Sequence, residues 1–83
     1  MRTNEKATIT VSRISFYTVG VRLWFVVASK DNKTRYQRWS LGMDASDECL
    51  MIAQPGDVLN LEYTETVVDG KVTKNTIASA EFK

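Results

Sequence analysis

Residues 44–59, Asp44-Ala-Ser46-Asp47-Glu48-Cys49-Leu-Met-Ile52-Ala53-Gln54-Pro55-Gly56-Asp57-Val58-Leu59, interrupt a chain that is otherwise patterned for strands. Up to Gln54 there is no apolar–polar alternation and there are few β-branched side chains, so the period-2 signature is missing. Asp44 or Ser46 can cap a helix, and Asp47 and Glu48 fall in its first turn, where the positive end of the helix dipole favours carboxylates. Cys49, Ile52 and Ala53 sit at i, i+3 and i+4, a narrow apolar stripe. Pro55-Gly56 ends the segment. The pattern predicts one short helix over about 44–54.

Alternation governs both flanks. Ala7, Ile9 and Val11 interleave with hydroxyl residues, as in a half-buried strand. Ile14 and Phe16 fall one position out of step, so a bulge near Ser12–Arg13 is expected to restore the phase and bend the strand. Gly20 punctuates. Over residues 21–29, Val21, Leu23, Phe25 and Val27 share one face and Arg22, Trp24, Val26 and Ala28 the other. Lys30-Asp-Asn-Lys33 reads as a polar turn. In residues 34–41, Trp39 and Leu41 are the plainly apolar members, which puts Arg35, Gln37, Trp39 and Leu41 inward and Tyr36, Arg38 and Ser40 outward. Beyond the helix, Val58 to Val68 carries Leu59, Leu61 and Tyr63 on one face. Asp69-Gly70 is a strong type I′ hairpin signal, and Val72 to Phe82 supplies the fifth strand.

Size and composition narrow the functional classes. Eighty-three residues make one domain, 1–83, with a small core. With 43% hydrophobic and 25% charged residues, the chain reads as an ordinary globular protein. Its longest apolar run, Leu23 to Ala28, is far short of the roughly 20 residues a bilayer crossing needs, so no membrane partner is expected. The polar N-terminus lacks a hydrophobic leader region, which makes a cytoplasmic location the expectation. For the same reason the Asn32-Lys33-Thr34 sequon carries no weight. One cysteine cannot form an internal disulfide. Histidine is absent, which removes Ser-His and Cys-His pairs. Cys49 reads as a small core hydrophobe, and capping accounts for Asp44, Asp47 and Glu48. Neither catalysis nor a metal or cofactor is expected.

The order of three strands, a short helix and two strands, with a bulge in the first, resembles the OB-fold, a five-stranded Greek-key barrel that binds oligonucleotides and oligosaccharides. The resemblance spans about Ala7 to Phe82 and is one of layout and hydrophobic phase. Its most telling piece is Gln54-Pro55-Gly56-Asp57-Val58-Leu59, a Gly-Asp turn leading into the fourth strand. It implies a mainly β barrel with the helix between strands 3 and 4. It also implies a ligand face on strands 2 and 3, flanked by the first and fourth inter-strand loops.

Charge is sorted along the chain. Residues 1–43 hold eight Lys and Arg against two acidic residues, a net +6; residues 44–83 hold three against eight, a net −5. The basic part interleaves cations with rings, as Arg22-Leu-Trp24 and Arg35-Tyr36-Gln-Arg38-Trp39. If Ser29 lies near Thr34 across the turn, Arg22, Trp24, Tyr36 and Arg38 form one exposed patch. Rings there can stack bases, and Arg22, Arg38, Lys30 and Lys33 can neutralise phosphates. Tyr17, beside Phe16, and Lys71 and Lys74 form the rims. The reading is a non-enzymatic module for single-stranded DNA or RNA. Ordinary structural roles compete: Trp24 in the core if the register is one off, Arg22 and Arg38 paired with Glu62 and Glu65, and Lys71 and Lys74 as solubilising charges. The alternative function is a small protein-interaction or inhibitor module, an accessory subunit of the kind a phage or plasmid encodes, whose acidic half docks a basic partner. An unpaired strand edge would invite a homodimer.

Overall fold

A computed structural model describes residues 2–30, 34–40, 42 and 44–83. The elements run β1 (Arg2–Val19), β2 (Arg22–Ser29), β3 (Arg35–Ser40), α1 (Ala45–Ile52), β4 (Val58–Val68) and β5 (Lys71–Phe82). The strands close into a barrel in the order β1-β2-β3-β5-β4, with β4 returning to β1. Every strand therefore has two neighbours, with β3 and β5 meeting at the Gln37–Thr76 pair. No helix among the described residues is long and apolar enough to cross a membrane.

The long first strand makes closure possible. Arg2–Thr10 pairs with β4, and Val11–Val19 pairs with β2. The division falls at an irregularity between Val11 and Arg13, where the apolar phase slips in the sequence. An extra residue there bends the strand, so one segment serves two walls of the barrel. The strand also begins earlier than alternation suggested, because Arg2 to Lys6 hydrogen-bond along Thr66 to Glu62.

Ile9, Val11, Phe25, Val27, Leu59, Leu61 and Ile77 fill the interior, each almost fully buried. Val21 is not among them. It sits with Gly20 in the β1–β2 turn and is 97% exposed. Helix α1 closes the barrel by burying Cys49 and Leu50, with Ala53 just beyond its end. Met51 and Ile52 face outward, so the expected stripe is corrected from Cys49–Ile52–Ala53 to Cys49–Leu50–Ala53. Asp44 and Asp47 form a reciprocal capping box at its start.

The β4–β5 turn adopts positive φ at both central residues, 53° at Asp69 and 77° at Gly70, as a type I′ hairpin requires. A Cβ at position 70 meets no neighbouring atom, so its cost is conformational alone. Gly70→Ala is expected to lower stability by about 1 kcal/mol, read from the urea midpoint at unchanged slope.

Candidate functional site

Pairing of β2 with β3 decides which side chains meet. Trp24 lies opposite Trp39, Phe25 opposite Arg38, Val26 opposite Gln37 and Val27 opposite Tyr36. Directly opposed residues project to the same face of a sheet. With Phe25 and Val27 in the core, Arg38 and Tyr36 must also turn inward. Trp24, projecting outward, brings Trp39 with it.

Two expected site residues are therefore misplaced by the sequence reading. Tyr36 is a core residue, only 2% exposed, set edge-on against Tyr63 with ring centroids 5.0 Å apart. Arg38 is 11% exposed and fastens the helix to the barrel. Its Nε donates to Asp47 at 2.7 Å, one Nη to Asp44 at 3.0 Å, and the other to the carbonyls of Ile77 and Ala78 at 3.0 and 2.8 Å. Asp47, 1% exposed, also accepts from the Ser40 hydroxyl. Burial alone would raise the Asp47 pKa, but hydrogen bonds from Arg38, Ser40 and the Asp44 backbone outweigh it and hold the carboxyl below its ordinary value. Arg38 is thus committed to the fold, its guanidinium shared among two carboxylates and two backbone carbonyls.

Trp39 replaces them on the surface. It was expected inside, yet is 40% exposed. Its ring lies 4.4 Å from that of Trp24, tilted by 50°, and the Arg22 guanidinium sits over it at 4.6 Å. That contact is a cation–π pair, which holds a positive charge beside the indoles. Tyr17, exposed, is opposite Trp24 on β1. An aromatic row Tyr17–Trp24–Trp39 thus crosses three neighbouring strands.

Three clefts continue from this row and share lining residues. The first, about 190 Å³, is lined by Arg13, Ser15, Tyr17, Val26, Ala28 and Arg35. The second, about 240 Å³, shares Val26 and Arg35 and adds Trp24, Gln37, Thr73, Lys74, Asn75 and the edge of the otherwise buried Tyr36. The third, about 550 Å³, shares Trp24, Gln37 and Lys74 and adds Trp39, Arg2, Thr64, Thr66 and Thr76. Together they form one groove that, among the described residues, holds Arg2, Arg13, Arg35 and Lys74 and no carboxylate. A separate cleft of about 380 Å³ across β1, β4 and β5 is lined by Glu62 and Glu81, with Lys6 paired to Glu62 at 3.7 Å.

Of the remaining expected residues, Lys74 lies in the groove. Lys30 and Lys71 are exposed but line none of the three clefts, and Lys33 lies outside the described residues, as does Leu41. Sequence reasoning missed Trp39, Arg35 and Gln37, which the pairing of Ser29 with Thr34 would have placed outward together with Trp24. It also missed Arg2, Thr64, Thr66 and Thr76, whose position depends on β1 reaching back to β4. Cys49 is buried, and burial, with the carboxylates of Asp57 and Glu81, pushes its thiol pKa up, which favours the unreactive thiol. No protein-family model, curated protein or solved structure matches the chain.

Proposed function

We propose that this chain is a non-enzymatic module that binds single-stranded DNA or RNA along the groove over β2, β3 and the β4–β5 hairpin. The strand order and the helix between β3 and β4 support an OB-like reading of the barrel, in which strands 2 and 3 carry the ligand face. The observation that carries the proposal is the lining of the groove. Among the described residues, two indoles and four cations converge there without one carboxylate. Bases stack on the rings whatever their identity, and the cations neutralise the phosphates that follow. A duplex hides its base faces in the stack and cannot use the rings.

Tryptophan fluorescence titrated with oligo-dT and oligo-U tests it. Four neutralised phosphates imply a slope of log K against log salt near −3, or about a fifty-fold loss between 50 and 200 mM. Quenching with that dependence is the expected result. No response at low salt overturns the proposal and favours a protein partner.

A further inference from the structure

Among the described residues, Gln37 occupies the single bridge at which β3 and β5 meet, with Val26 opposite it on β2 and Thr76 opposite on β5. The row continues through Thr64 to Asn4, so neutral side chains floor the groove where cations rim it. Gln37 lines the second and third clefts together with Trp24. Among the described residues no hydrogen bond or ion pair engages its amide or the Thr76 hydroxyl. The fold makes no use of this half-buried amide, which offers two donors and two acceptor lone pairs.

A base stacked on either indole brings its hydrogen-bonding edge toward that floor. An edge that matches the amide satisfies both partners. One that does not match leaves polar groups stripped of water and unpaired, and such mismatches discriminate far more sharply than lost apolar contact. We infer that Gln37, with Thr76 beside it, reads the edge of an unpaired base and makes this site base-selective. The inference rests on the single-strand reading above and goes beyond it, since stacking and phosphate contact are indifferent to base identity.

Fluorescence anisotropy with labelled dA, dT, dC and U homopolymers of equal length tests it. The native chain is expected to separate its best and worst homopolymers by about tenfold or more. Gln37→Met keeps the shape without the amide and should bring that spread within about twofold, at unchanged salt slope. Thr76→Val, whose folding is checked by thermal melting as for Gln37→Met, is expected to narrow it as well. Equal binding of all homopolymers by the native chain, or a spread that survives in Gln37→Met, overturns the inference and leaves single-strand binding intact. Failure to bind any homopolymer at low salt removes both.

Discussion

Arg38→Ala is expected to cost about 3–5 kcal/mol of stability, because it strands a buried carboxylate. Asp47 is 1% exposed and takes its charge partner from Arg38 alone among the ion pairs of the described residues. The same truncation releases the carbonyls of Ile77 and Ala78 and the guanidinium contact to the Asp44 cap. A domain of this size has total stability toward the lower end of roughly 5–15 kcal/mol, so the variant sits at the edge of unfolding. Melting should fall by more than about 10 °C. Arg38→Lys should recover little, since a point charge cannot serve two carboxylates and two carbonyls from one planar fork. Acid gives an independent check. Asp47 has a lowered pKa in the folded state, so its stabilising contribution is present above about pH 4 and is lost as pH falls through the folded value. In Arg38→Ala the carboxyl is buried without its partner and takes up a proton more readily. The stability gap between native and variant protein should therefore narrow on acidification. Urea melts at neutral pH and near pH 3 read both effects. A loss below about 1 kcal/mol would mean that this network behaves like a surface ion pair.

The same arginine shows where sequence reading succeeds and where it stops. Strong local signals carried through: the phase slip at Ser12–Arg13, the Asp69-Gly70 turn and the capped break at Asp44 each match a feature of the barrel. Each is decided within a few residues by backbone sterics, pleat or capping chemistry. β3 failed because its two faces differ little in hydrophobicity, and Trp39 outweighed Tyr36 in a count of apolar residues. Pairing arithmetic held the answer. Once Ser29 is set near Thr34, Trp24 falls opposite Trp39, and opposed residues cannot lie on different faces. An inward Arg38 also needs anions waiting for it, and these come from Asp44 and Asp47 at the start of the next element. The charge sorting that marked Arg38 as a ligand contact was, at this position, a structural pairing between the basic and acidic parts of the chain. The groove beyond β3 was illegible for another reason. Arg2, Thr64 and Thr76 reach it only because a bent β1 pairs with β4 and β5 returns to β3, contacts with no local trace.

Trp24→Ala is expected to weaken oligonucleotide binding by about 1–3 kcal/mol, roughly five- to more than a hundred-fold, while the salt slope stays unchanged. The parallel shift is the diagnostic feature, because the ring contributes stacking and no charge. Lys74→Ala or Arg35→Ala should instead flatten the slope by about 0.7 each. Trp24 is half-buried on the outer face and packs on Trp39, so its loss from the fold should be limited to about the 0.5–1.5 kcal/mol of an aromatic pair and some apolar area. Trp39→Ala removes the second ring together with the cation–π partner of Arg22, so it should lower affinity at a slope still set by Arg2, Arg13, Arg35 and Lys74. Because the two rings touch, the double variant should lose less than the sum of the single losses, a coupling that a double-mutant cycle measures directly. Fluorescence anisotropy at two salt concentrations, with thermal melts alongside, separates these contributions. Unchanged affinity per folded molecule in Trp24→Ala, accompanied by a large fall in melting temperature, would assign the indole pair to the framework of the barrel and leave the groove without its stacking surface.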